Sequence, residues 1–142
     1  MRMTGEDDVM SLGLIMTKNV VTVSMDERLE AIRQIFAEKR FHHLLVLEDK
    51  RLVGVVSDRD LLKSISPFVA TMSERPQDRW TLNKRVHQIM TRKLITAKAD
   101  MEIAAAAKLL VEHGVSCLPV VSDDGAEVVG IVTWKDILKC LV

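Results

Sequence analysis

Tyrosine is absent from this 142-residue chain, and its aromatic residues are two tryptophans and three phenylalanines. So few aromatic faces argue against a stacking platform for single-stranded nucleic acid. Neither sign of charge is in excess, because 20 Lys and Arg balance 20 Asp and Glu. Without a global field to attract nucleic acid or anionic lipid, any anion site must be local. No run approaches the ~18 apolar residues that a membrane helix needs. Met1–Met10 contains Glu6, Asp7 and Asp8 and no apolar stretch, so no signal peptide is expected there. The two cysteines, Cys117 and Cys140, are 23 positions apart, which is neither C-x-x-C spacing nor a disulfide framework. They read as small core residues in a reducing compartment, and a cytoplasmic protein is expected.

What is present is a soluble globular composition, 48% hydrophobic and 28% charged with three prolines. The length suits one ordinary domain or two very small ones. A unit of about 60 residues is marginal alone because so little of its surface can be buried, so two such units should share an interface.

Two such units are visible as an internal repeat. Shifted by 74 positions, residues 15–48 fall on 89–122 with nine of 34 positions identical, among them Ile15-Met16-Thr17 on Ile89-Met90-Thr91. After a two-residue insertion the shift becomes 76, and residues 50–63 fall on 126–139 with six of 14 identical. Those six are Val53, Gly54, Val56, Asp60, Leu62 and Lys63 against Val129, Gly130, Val132, Asp136, Leu138 and Lys139.

Each copy predicts the same order of elements. An extended lead-in (Val20–Val23, Leu94–Ala97) precedes a helix. In copy one Ser24 and Glu27 have capping-box spacing, and Leu29, Ile32, Ile35 and Phe36 recur at helical period. In copy two Asp100 is the expected cap, Ile103, Ala106, Leu109 and Leu110 form the stripe, and Gly114 suits the helix end. Continuous apolar runs then predict paired strands covered on both faces, Leu44–Leu47 with Leu52–Val56 and Leu118–Val121 with Val128–Val132. The insertion falls at the second hairpin tip, Ser122–Glu127, where added length costs little. A second helix closes each copy, near Asp58–Ser64 and Trp134–Leu141. Residues 65–88, with Pro67, Pro76 and the polar stretch Ser73–Arg79, read as a connector with some helix around Leu82–Gln88. The expected organisation is repeat one at 11–64, connector at 65–84 and repeat two at 85–142, each repeat β-α-β-β-α.

At the end of the third strand both copies carry G-x-x-[S/T]-x-x-D: Gly54, Ser57, Asp60 and Gly130, Thr133, Asp136. One reading is purely structural, a helix N-terminus with a reciprocal cap. The other is functional. A helix N-terminus with a hydroxyl offers the parts of a phosphate site, and the acid can accept ribose hydroxyls. The glycines would let a ligand or another backbone approach closely.

Ile-Met-Thr, an apolar helix, a strand with Leu118-Pro119-Val120 (Leu44-Leu45-Val46 in copy one) and G-x-x-[S/T]-x-x-D together resemble the cystathionine β-synthase (CBS) domain. The tandem arrangement resembles the CBS pair, or Bateman module, over roughly residues 11–141. The resemblance implies an α+β fold with two β-α-β-β-α repeats packed sheet to sheet about a pseudo-twofold axis. It further implies clefts between the repeats that bind adenosine-containing nucleotides such as AMP or ATP, and a homodimer. Carried across, one site would combine Thr17, Val21, Thr22, His42 and His43 with Thr133 and Asp136. The other would combine Thr91, Ile95, Thr96, Ser116 and Cys117 with Ser57 and Asp60. In this arrangement the Asp holds ribose, the hydroxyl holds phosphate, and lead-in backbone reads the adenine edge. Arg59 and Lys135, inside the motifs, add positive charge, and Trp134, which replaces Asp58, would pack on a base or cover the sheet edge. The site with the histidines should prefer phosphate-bearing ligands and weaken above about pH 6.5 if an imidazolium contributes.

Metal binding is not expected. His42 and His43 are adjacent on a strand and point to opposite faces, and His87 and His113 form no ligand-spaced pair with them. Catalysis is not expected either, since no G-x-S-x-G, Walker-type loop or H-E-x-x-H occurs. Three functions compete: a nucleotide sensor, a ligand-free dimerisation and assembly module, and a small nucleotide hydrolase or transferase. No effector domain is visible, so a sensor's output is expected to be its oligomeric state or a partner protein in trans. No catalytic cofactor is expected.

Overall fold

The computed structural model describes residues 10–142, so the signal-peptide expectation for Met1–Met10 lies, but for Met10, outside the described residues. Within them the chain forms two compact units. Val21–Leu94 makes one, and residues 10–20 with Ile95–Val142 make the other. The Ile-Met-Thr lead-in of copy one therefore folds with the body of copy two, and that of copy two with the body of copy one.

The unit Val21–Leu94 contains β1 (Thr22–Ser24), α1 (Leu29–Glu38), β2 (His43–Glu48), β3 (Arg51–Ser57) and α2 (Asp58–Ser64). Its sheet has the order β1-β2-β3. β1 and β2 are parallel, which requires a crossover, and α1 supplies it. β2 and β3 form an antiparallel hairpin whose tip residues, Asp49 and Lys50, both have positive φ (49° and 67°). That is the backbone of a tight two-residue turn made without glycine. The connector supplies α3 (Pro76–Trp80) and single 3-10 turns at Thr81–Asn83 and Val86–Gln88. Helix thus reaches back into a stretch read as polar linker, because Pro76 starts it and Asp78 caps it.

The other unit repeats the pattern with β4 (Ala97–Lys98), α4 (Ile103–His113), β5 (Cys117–Val121), β6 (Val128–Thr133) and α5 (Trp134–Lys139). Its sheet is β4-β5-β6 with the same parallel and antiparallel pairs. Even the register shift recurs, between Val46 and Leu47 and between Val120 and Val121. Gly114 ends α4 at φ 62°, as expected.

Each core follows the predicted stripes. Leu29, Ile32, Leu44, Val46 and Val56 are fully buried in one unit, and Ala106, Leu118, Val120 and Val132 in the other. Each large member contributes about 1.5–3 kcal/mol of burial.

The expected caps of the long helices are not formed. α1 begins after Arg28 and α4 after Glu102, neither with a side-chain cap bond, while Ser24 ends β1 and Asp100 lies in a turn. The first helical N–H groups are met instead by backbone from the lead-in side: Leu29 N–H donates to Lys84 O (2.9 Å) and Ile103 N–H to Met10 O (3.2 Å). Flanking bonds match as well. Val86 N–H reaches Glu27 O and His87 N–H reaches Met25 O, just as Leu12 N–H reaches Met101 O and Gly13 N–H reaches Ala99 O. Backbone from distant sequence does the work that local side chains were expected to do.

Candidate functional site

In the unit Val21–Leu94 the chemistry gathers where β3 meets α2. Ser57 and Asp60 form a reciprocal cap: Ser57 N–H donates to Asp60 Oδ2 (2.9 Å), and Asp60 N–H donates to Ser57 Oγ (3.0 Å). Asp58 N–H donates to His42 O (3.0 Å), and His42 Nδ1 lies 2.7 Å from Asp58 Oδ2. His43 pairs across the hairpin with Ser57. Burial lowers the His43 imidazole below its usual 6.5; His42 adds to this, while Asp58 and Asp60 oppose it. His43 is therefore neutral at pH 7 and offers no imidazolium to a phosphate there.

Thr91 runs antiparallel to Val55, with bonds of 3.1 Å and 2.9 Å. The approach depends on Gly54, where a Cβ would stand 2.7 Å from Met90 Sδ and 3.1 Å from Thr91 O. Val21 and Thr22 belong to the same unit: Val21 O accepts from Leu45 N–H (3.2 Å), and Thr22 stands opposite Leu45.

The other unit repeats this around β6 and α5. Thr133 N–H donates to Asp136 Oδ2 (2.8 Å), and Asp136 N–H donates to Thr133 Oγ1 (3.4 Å). Thr17 pairs with Ile131 through bonds of 2.9 Å and 3.0 Å. A Cβ on Gly130 would lie 2.7 Å from Met16 Sδ and 2.9 Å from Thr17 O. Cys117 stands opposite Thr133 and Ser116 O accepts from Trp134 N–H (3.2 Å), while Ile95 and Thr96 lead into β4. Burial pushes the Cys117 thiol up to about 12, so it stays protonated and is no nucleophile. Lys135 Nζ sits 5.9 Å from the centre of the half-exposed Trp134 ring, a cation–π contact.

Each predicted residue set is divided between the units. Of the first, Thr17, Thr133 and Asp136 come together in one unit, and Val21, Thr22, His42 and His43 in the other. Of the second, Thr91, Ser57 and Asp60 share one unit, and Ile95, Thr96, Ser116 and Cys117 share the other. Arg59 and Lys135 are exposed at the starts of α2 and α5.

The structure answers what the glycines admit from the protein itself: the backbone of a lead-in segment. Both Ser/Thr-x-x-Asp motifs are also true caps, as the structural reading held. A cap still leaves chemistry, since a carboxylate has about four lone-pair sites and the cap uses one or two of them. Among the described residues, Oδ1 of Asp60 and of Asp136 accepts no protein hydrogen bond that would prevent it from meeting a ribose diol. Sequence reasoning missed Met16 and Met90 as the side chains lying over the glycines, although their identity in both copies was a signal. It also missed Asp58 as the partner of His42, for which 16 positions of separation left none. Among the described residues no group of three or more His, Cys, Asp or Glu could hold a metal, and no helix is long and apolar enough to cross a membrane.

Comparisons with known proteins agree with this architecture. The CBS domain family matches residues 9–67 and 86–142. Uncharacterized protein MJ1426 of Methanocaldococcus jannaschii is 32% identical, over 95% of this chain and 93% of its own length. Other curated relatives are longer, and the chain spans only 44% and 61% of two of them. Among solved structures, the CBS domain pair of protein MJ0100 in complex with 5-methylthioadenosine and S-adenosyl-L-methionine matches with a TM-score of 0.74 and 26% identity, covering 94% of this chain and 96% of that one. CBSX2 in complex with AMP matches with a TM-score of 0.73 and 29% identity, covering 93% and 96%. With two matched copies accounting for most of its length, this chain belongs to the CBS domain family as a tandem pair.

Proposed function

We propose that this protein is a regulatory module that binds adenosine-containing nucleotides and signals through its own conformation or assembly, without catalysing a reaction. The observation that carries the proposal is a duplicated construction. In each unit an Ile-Met-Thr segment is paired over a glycine beside a capped Ser/Thr-x-x-Asp. The ligand class is supported by similar CBS pairs that hold 5-methylthioadenosine with S-adenosyl-L-methionine, or AMP. In this proposal the first residue set (Thr17, Val21, Thr22, His42, His43, Thr133, Asp136) and the second (Thr91, Ile95, Thr96, Ser116, Cys117, Ser57, Asp60) are the nucleotide-contacting residues. Asp136 and Asp60 hold the ribose, the adjacent hydroxyls hold phosphate, and Lys135 and Arg59 attract it. The protonated Cys117 thiol supports binding over covalent chemistry.

We further propose a cytoplasmic homodimer acting on a partner in trans. Leu62 on α2 and Leu138 on α5 hold equivalent positions and are 70% and 48% exposed, a pair of apolar positions suited to a symmetric contact. A ligand-free assembly module is the second reading. It is favoured by the capping bonds, which give Ser57, Asp60, Thr133 and Asp136 a structural task without any ligand.

Thermal melts against AMP, ATP, S-adenosylmethionine, NAD and a signalling dinucleotide separate the two. A ligand at 100 times its Kd adds about 2.7 kcal/mol to stability. Because Asp60→Ala and Asp136→Ala also remove a cap, the ligand-induced shift within each variant is compared rather than the melting temperatures themselves. A shift present in the wild-type protein and lost in one variant supports sensing and identifies the site. No shift at millimolar ligand supports assembly alone.

A further inference from the structure

The two Ser/Thr-x-x-Asp motifs match down to the backbone, and within them charge differs at one position. Asp58 N–H donates to His42 O (3.0 Å) in one unit, and Trp134 N–H donates to Ser116 O (3.2 Å) in the other. Asp58 and Trp134 therefore hold the same place, the residue after the motif hydroxyl, at the start of α2 and of α5. Around them the reciprocal caps, the glycines under the lead-in segments and the basic residues Lys63 and Lys139 all repeat.

Each motif has one cation, Arg59 or Lys135, and one acid of its own, Asp60 or Asp136. Asp58 is a further acid in the first turn of α2, where α5 has an uncharged ring. Its side chain is 41% exposed, so the carboxylate is not sealed off from what approaches Ser57. His42 donates from Nδ1 to Asp58 Oδ2 (2.7 Å). A hydrogen bond from a neutral imidazole orients a carboxylate without cancelling its charge. Trp134 does the reverse. Lys135 Nζ is held 5.9 Å from its ring centre, which keeps a cation near Thr133.

A nucleoside and its 5′-phosphate share ribose and adenine and differ in one anionic group. A carboxylate within about 7 Å of that group weakens binding of the phosphate roughly tenfold near a protein surface, and leaves the nucleoside unaffected. The hydroxyls pull the other way, since Thr133 Oγ1 donates to Asp136 Oδ2 (3.1 Å) while Ser57 Oγ accepts from Asp60 N–H (3.0 Å). Turning the Thr133 proton to a phosphate gives up one bond, and Asp136 keeps the one from Thr133 N–H (2.8 Å). One such bond is a smaller effect than a full charge.

We propose that Asp58 is a specificity-determining residue that disfavours phosphate at the Ser57–Asp60 motif by opposing the attraction of Arg59. That site takes uncharged adenosine compounds, while the Thr133–Asp136 site, with Trp134 and Lys135, takes 5′-phosphorylated ones. The inference rests on the adenosine-binding reading and divides its two sites by ligand charge.

Isothermal titration calorimetry with adenosine and with AMP tests it, at about pH 8, above the range in which an ordinary imidazole titrates. Asp136→Ala confines binding to the Ser57–Asp60 site, and Asp60→Ala confines it to the other. Asp136→Asn and Asp60→Asn, which keep a cap acceptor, replace any alanine variant that urea denaturation shows to be unfolded. In Asp136→Ala, adenosine should bind at least as tightly as AMP. Adding Asp58→Asn, which keeps an acceptor for His42, should tighten AMP roughly tenfold and leave adenosine unchanged, with a gain that shrinks in added salt. In Asp60→Ala, AMP should bind the tighter, and adding Trp134→Asp should remove that preference. A merely structural Asp58 would move both ligands alike. AMP tighter than adenosine in Asp136→Ala, adenosine tighter than AMP in Asp60→Ala, or an Asp58→Asn that moves both ligands together or neither overturns the proposal and leaves the nucleotide reading intact. A wild-type protein that binds neither AMP nor adenosine refutes the nucleotide reading itself, and this inference with it.

Discussion

Substituting Gly130 by alanine tests the construction of the site most directly. A Cβ there would stand 2.7 Å from Met16 Sδ, 3.0 Å from Met16 Cγ and 2.9 Å from Thr17 O. The sulfur can swing aside, but the carbonyl cannot, because it accepts from Ile131 N–H at 3.0 Å. The chain must either hold the strain, about 1–3 kcal/mol for an overpacked methyl, or release the Thr17–Ile131 pair. Releasing two backbone bonds costs about 0.5–1.5 kcal/mol each, so the two routes come out alike. Alanine recovers about 0.4–1 kcal/mol through the unfolded chain, which leaves a net destabilisation of about 1–2 kcal/mol. Urea denaturation measures it. The matched substitution Gly54→Ala meets Met90 Sδ at 2.7 Å but Thr91 O at a looser 3.1 Å. Double-mutant cycles should therefore find a larger rescuing coupling for Gly54→Ala with Met90→Ala than for Gly130→Ala with Met16→Ala. A Gly130→Ala protein as stable as wild type, or equal couplings in the two pairs, would refute the reasoning.

Three further outcomes follow from the same geometry. Removing a cap hydroxyl should cost about 0.5–2 kcal/mol in urea unfolding, with Thr133→Ala at least as costly as Ser57→Ala because the Thr133 hydroxyl both accepts from Asp136 N–H (3.4 Å) and donates to Asp136 Oδ2 (3.1 Å). Burial lowers the folded-state pKa of His43, so the unfolded chain binds more protons between that value and about 6.5, and stability rises with pH across that window. Wild type should accordingly lose more stability than His43→Gln between about pH 7.5 and about pH 5, and parallel losses would contradict the burial argument. In a Cys140→Ser background, Cys117, its thiol pushed up to about 12, should resist Ellman's reagent at neutral pH until the protein is denatured.

The repeat, its β-α-β-β-α order and the helix stripes were legible because they are local: a period of 3.6, an apolar run, a glycine where the backbone turns left-handed. Leu29 and Ile32, or Gly114, require no knowledge of distant residues to be interpreted. The Ser/Thr-x-x-Asp motifs were legible too, since both caps form at the spacing the sequence shows. The caps of α1 and α4 were misread for the opposite reason. Ser24 and Asp100 have the right local spacing, but backbone carbonyls from Lys84 and Met10 had already met the helix ends. The short helix at Pro76–Trp80 hid in a polar stretch because hydrogen bonds from Ser66, 12 positions away, hold its cap in place.

By itself, then, the sequence determined that one α/β pattern occurs twice, which residues face each core, and which hydroxyl–carboxylate pairs recur. Tertiary structure alone decided with which body each Ile-Met-Thr segment folds, why Gly54 and Gly130 must lack a Cβ, and that Asp58 holds His42. The physical reason is range. Periodicity and capping act over a few residues, whereas strand pairing across 36 or 114 positions, as in Val55–Thr91 and Thr17–Ile131, leaves no trace in spacing. Such pairing is decided only when backbone groups far apart in the chain must satisfy one another.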